Sequence, residues 1–79
     1  MKLPRNISGK ELVKLLEKLG YQNIRQRGSH IQVTTQINGE HHLAIPNHNP
    51  IKTGTLNSIL RQTANHFGKT KEEIMEILF

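Results

Sequence analysis

Leucine and valine recur at helical spacing in the first quarter of the chain. Leu12, Val13, Leu15, Leu16 and Leu19 form one apolar stripe, with Lys10, Lys14, Glu17 and Lys18 mostly opposite. Just before the stripe, Ser8-Gly9-Lys10-Glu11 has the spacing at which a serine and a glutamate accept each other's free amides, and Gly20 supplies the stop. The period then shortens. Strands are predicted over residues 21–27, 30–36 and about 40–46. Asn47-His48-Asn49-Pro50 reads as a loop by composition. Leu56, Ile59, Leu60, Ala64 and Phe67 define a second helix, with Thr53 or Thr55 as its cap and Gly68 as its end. Thr70-Lys71-Glu72-Glu73 repeats the capping spacing and opens a short last helix carrying Ile74, Ile77 and Leu78. The order α-β-β-β-α-α predicts an α+β domain, with helices on one face of a three-stranded antiparallel sheet and the other face open.

The second hairpin has a register that can be argued. A two-residue Asn38-Gly39 turn would set Val33 against Ala44 and send the apolar residues of the two strands to opposite faces. A three-residue loop, Ile37-Asn38-Gly39, removes the conflict and puts Gly39 where a left-handed residue is needed. Ile31, Val33 and Thr35 then share a face with His41, Leu43 and Ile45, while His30, Gln32, Thr34, His42 and Ala44 collect on the other.

At 79 residues the chain is one small domain, residues 1–79, with 68–79 a C-terminal helical extension. A domain this short buries about 60–65% of its unfolded surface, so its chemistry belongs on an open face or in a shallow cleft. The absence of cysteine removes disulfides and thiolate metal sites. With no apolar run of membrane-spanning length and no apolar leader, a cytoplasmic protein with no membrane association is expected. Eleven Lys+Arg against six Asp+Glu give a net charge of +5, a sign that suits a polyanionic partner.

Three groups of residues carry candidate chemistry. In Arg25-Gln26-Arg27-Gly28-Ser29-His30, Gly28 permits a sharp turn, Ser29 offers a hydroxyl and His30 falls on the open face, where the core does not require it. Simple alternation points Arg25 and Arg27 the same way. An imidazole among guanidinium groups suits RNA chemistry, in which the arginines hold the phosphate and the histidine moves a proton. A solvated turn histidine has the same residue pattern. Among His41, His42 and His48, alternation sends the first two to opposite faces, which argues against a shared metal, since zinc needs three or four convergent ligands. His42, on the face of His30, and His48, in the following loop, are auxiliary candidates. Lys52-Thr53-Gly54-Thr55 opens the second helix, where free amides and Lys52 suit a phosphate or serve ordinary capping. The order of residues is not that of a Walker loop.

Taken together, Gly28-Ser29-His30, Ile45-Pro46-Asn47-His48 and Lys52-Thr53-Gly54-Thr55-Leu56-Asn57-Ser58-Ile59-Leu60 resemble the HicA (YcfA-like) family of bacterial toxins, over roughly residues 8–64. The resemblance implies a double-stranded-RNA-binding-like fold and an endoribonuclease that cleaves messenger RNA. It also implies a HicB-type antitoxin that covers the active surface, a catalytic histidine at His30, a turn shaped by Gly28 and Ser29, and no metal or other cofactor. RNA binding is then expected of Arg25, Arg27 and Lys52. The second proton-transfer partner stays open between His42, His48, Ser29 and bound water. The alternative is a non-catalytic RNA-binding module of the same fold.

Overall fold

The structure is a computed structural model and describes residues 3–79. Its elements follow the expected order: helix α1 (Gly9–Leu16) with a 3-10 turn (Glu17–Leu19), strands β1 (Gln22–Arg27), β2 (His30–Thr35) and β3 (His41–Pro46), and helices α2 (Thr53–Phe67) and α3 (Lys71–Leu78). The sheet is antiparallel in the order β1-β2-β3, so the α+β class and the three-stranded sheet are as predicted. Both capping boxes form: Ser8 with Glu11 on α1, and Thr70 with Glu73 on α3.

The register of β2 and β3 is the one that a three-residue loop requires. Thr35 faces His41, Val33 faces Leu43 and Ile31 faces Ile45, all toward the helices, and both Asn38 and Gly39 have positive φ. Strand β1 departs from simple alternation. Asn23 pairs with Val33, but Arg25 pairs with Gln32, so Ile24 is an extra residue in a β-bulge. Without the bulge, Arg25 and Arg27 would share the helix side with Asn23. With it, they turn to the open face beside Gln32 and His30.

The core joins Leu12, Val13, Leu16 and Leu19 to Tyr21, the inner faces of β2 and β3, and Leu56, Ile59, Leu60 and Ala64 of α2. Helix α3 adds Ile74, Met75 and Leu78 to the same core. Met75, not Ile77, takes the third inward position on α3, and Ile77 is only partly buried. Segment 68–79 therefore completes the core rather than trailing from it. Two buried hydroxyls are also structural. Thr35 Oγ1 donates to Leu19 O (2.8 Å) and accepts from Ile37 N (3.1 Å), and Thr63 Oγ1 donates to Ile59 O (2.9 Å). No helix among the described residues is long and apolar enough to cross a membrane.

Candidate functional site

Three backbone hydrogen bonds gather distant parts of the chain at one end of the sheet. Asn47 N donates to Ser29 O (2.6 Å), Gly9 N to His48 O (2.9 Å) and Ile51 N to Ile7 O (2.8 Å). They clamp the β1–β2 turn, the start of α1 and the segment leading into α2 against one another. Gly9 makes the clamp possible. A Cβ there would fall inside van der Waals contact of Pro46 O and 3.0 Å from Asn47 Cα.

The turn itself consists of Gly28 and Ser29, because Arg27 and His30 are paired across the strands. Gly28 has φ +55 and Ser29 is not in the positive region, the φ pattern of a type II′ hairpin turn. A Cβ on Gly28 would touch nothing within 4 Å, so the glycine is needed for its backbone angle and not for space. The turn delivers His30 to the start of β2, on the open face and exposed, with no hydrogen bond to its ring from any described residue. Arg27 stands directly opposite it. Arg25 lies two residues along the same face and donates from Nε to Gln32 Oε1 (3.0 Å).

The auxiliary histidines are placed differently. His42 pairs across from Thr34, four residues along β2 from His30, about 13 Å at the rise of an extended strand. Its Nδ1 meets Thr34 Oγ1 (2.6 Å) and its Nε2 meets Glu40 Oε2 (2.9 Å). The carboxylate can only accept, so Nε2 carries a proton and, in the neutral ring, Nδ1 accepts from the threonine. Hydrogen bonds from Gln36 and His42 hold the Glu40 carboxyl below its usual range. His48 is exposed in the clamped segment, next to the residue that bonds Ser29.

Lys52 stands at the head of α2 rather than on the sheet. It occupies the N-cap position of α2, with extended backbone and no side-chain cap, so neither Thr53 nor Thr55 caps this helix as the sequence had suggested. Lys52 lines a separate cavity of about 620 Å³ with Arg5, Asn6, Pro50 and Thr53. Arg5, the second cation of that cavity, went unnoticed in the sequence because nothing in its neighbours marks it.

At the far end of the sheet, His41 and His66 stack with ring centroids 4.5 Å apart. His41 Nδ1 meets the hydroxyl of buried Tyr21 (2.7 Å), and His66 Nε2 donates to Ile37 O (2.9 Å). Burial pushes the Tyr21 hydroxyl up to about 12 and, with the neighbouring imidazoles, holds His41 below the usual histidine range. These histidines tie the β2–β3 loop to the end of α2 and take no part in the surface around His30. Among the described residues no group of three or more His, Cys, Asp or Glu side chains converges on a point where a metal could sit.

No curated protein and no solved structure matches the chain significantly. A family model described as "HicA toxin of bacterial toxin-antitoxin" matches residues 9–64, which span α1, the whole sheet, the segment leading into α2 and most of α2. The clamped turn, its exposed histidine and the bulge-directed arginines all fall inside that match, and the chain belongs to the HicA family of bacterial toxins.

Proposed function

We propose that this toxin is a metal-independent endoribonuclease acting on messenger RNA, with His30 as its general acid or base. The observation that carries the reading is the placement of His30: exposed on the open face, unengaged by other described side chains and directly across from Arg27. The reaction that suits these groups is attack of a ribose 2′-hydroxyl on the adjacent phosphorus. A 2′-oxygen–phosphorus bond forms, the bond to the 5′-oxygen breaks, and the products are a 2′,3′-cyclic phosphate and a free 5′-hydroxyl. One proton leaves the 2′-oxygen and one arrives at the 5′-oxygen, and His30 handles one of these transfers. Arg27 and Arg25 stabilise the charge that grows on the non-bridging oxygens.

Both nitrogens of His42 are engaged elsewhere, which leaves His48, the Ser29 hydroxyl or water for the second transfer. Lys52 and Arg5 bind the phosphate backbone beyond the cleavage point. A HicB-type antitoxin neutralises the toxin by covering the open face, and the pair works in the cytoplasm. The test is expression without antitoxin. The wild type should arrest growth and fragment messenger RNA, and His30→Ala should do neither while accumulating to the same level. A harmless wild type, or a His30→Ala variant that is equally toxic, overturns the proposal.

A further inference from the structure

The open face holds a second feature, in the middle of the sheet. A depression of about 330 Å³ is lined by Gln32, His42, Leu43 and Ala44. Gln32 and Ala44 are directly opposed, and the methyl group of Ala44 leaves open the space that a longer side chain would fill. Leu43 has its side chain in the core and contributes main chain to the floor.

The polar groups around this depression are fixed in a particular way. Arg25 Nε donates to Gln32 Oε1 (3.0 Å), which holds the amide oxygen and leaves the Gln32 NH2 without a partner among the described residues. His42 is held through both ring nitrogens, by Thr34 (2.6 Å) and Glu40 (2.9 Å). It therefore has no free N–H or lone pair for a ligand, and what it presents is the face of a ring held at both nitrogens. A flat wall, two hydrogen-bond donors and a small gap are the ingredients with which proteins read an unstacked nucleobase. Tyr21 is fully buried and Phe67 packs against the core, so His42 is the planar ring at the middle of this face.

We infer that the Gln32–His42–Ala44 depression is a nucleobase subsite, in which the base stacks on His42 and is selected by the Gln32 amide. This rests on RNA being the substrate of the open face. Gln32 lies two residues from His30 on one strand face, about 7 Å, so the base read is that of a nucleotide next to the phosphate served by His30. The free NH2 favours a base edge made of carbonyl oxygens, such as O2 or O4 of uracil or O2 of cytosine; adenine offers only ring nitrogens as acceptors, and its amino group would have to share the amide oxygen already bonded to Arg25.

Fluorescence anisotropy with labelled pentanucleotides of 2′-O-methyl uridine, cytidine or adenosine tests this without any cleavage. The wild type should bind the uridine and cytidine oligomers more tightly than the adenosine one, and Gln32→Ala should bring the three within about twofold. His42→Ala and Ala44→Leu should each weaken binding about tenfold, the loss of one stack, and His42→Phe should recover it. All three positions lie on the surface of the sheet, and circular dichroism confirms that each variant is folded. No preference in the wild type, an adenine preference, or variants that bind like the wild type overturns the subsite. Cleavage of the corresponding RNAs separates this from the ribonuclease reading: base-selective binding without cleavage removes the enzyme and keeps the subsite, and cleavage that ignores Gln32 and His42 removes the subsite alone.

Discussion

Gly9 is the residue whose replacement connects the packing of this protein most directly to its surface. An alanine at position 9 would press its methyl group into Pro46 O and stand 3.0 Å from both Asn47 Cα and Pro46 C. All three atoms are backbone, so no change of rotamer relieves the overlap, and α1 must separate from the end of β3. Overpacking of this kind costs about 1–3 kcal/mol, and the gain in helix propensity returns at most about 1 kcal/mol. A net loss of about 1–2 kcal/mol is expected, out of the roughly 4–12 kcal/mol usual for a chain of this length. In a domain of this size that lowers the Tm by about 10 °C. The strain falls on the Gly9–His48 hydrogen bond and, through the adjoining Asn47, on the turn that carries His30. RNA cleavage measured well below the Tm should therefore drop as well. Gly54→Ala is the control: it lies in the first turn of α2 with nothing within 4 Å of a Cβ, and the change should be neutral or slightly stabilising. Urea denaturation and a cleavage assay on both variants decide the matter. If Gly9→Ala is as stable and as active as Gly54→Ala, the clamp does not hold the site as argued.

Further outcomes concern the core, the histidine stack and the basic residues. Ile74→Ala should cost about 2–4 kcal/mol in urea denaturation, because Ile74 is fully buried and α3 belongs to the core. Deleting residues 68–79 should leave a chain with no cooperative thermal transition. Thr35→Val leaves Leu19 O and Ile37 N without their partner and should cost about 1–3 kcal/mol by the same measurement. Burial, then the neighbouring imidazoles, lower the proton affinity of His41 in the folded state, so the unfolded chain binds more protons around pH 6. The Tm should accordingly fall as pH is lowered from about 7.5 through the unfolded histidine value near 6.5, and His41→Gln should flatten that dependence. Replacing Arg25, Arg27 and Lys52 together by alanine should reduce the salt slope of RNA binding by about 2, the effect of three lost phosphate contacts on a single strand.

Much of this architecture was legible in the sequence because local signals agreed. Ser8 with Glu11 and Thr70 with Glu73 announced two helix starts, and the clash of faces in a two-residue Asn38-Gly39 turn was enough to set the register of β2 against β3. The bulge at Ile24 was not legible. An extra residue in an edge strand leaves no periodic trace, but the bulge lies upstream of Arg25, so the alternation that sets Arg25 and Arg27 on one face holds from there to the turn. Thr53 and Thr55 have the right chemistry to cap α2, but the chain enters the helix at Lys52, directly after the Ile51–Ile7 hydrogen bond. Met75 was passed over for Ile77 because hydropathy alone cannot fix the rotation of a short helix. The role of Gly9 and the sharing of one cavity by Arg5 and Lys52 depend on contacts between segments far apart in the chain.

His30 is proposed to perform proton transfer in RNA cleavage, and cleavage by the purified proteins tests this directly. Purified wild type and His30→Ala, shown to have the same Tm, should be incubated with end-labelled single-stranded RNA in the presence of a chelator. The wild type is predicted to release fragments ending in a 2′,3′-cyclic phosphate, and His30→Ala to bind the RNA and leave it intact. Equal cleavage by the two proteins, or cleavage by the wild type that the chelator abolishes, would contradict the account.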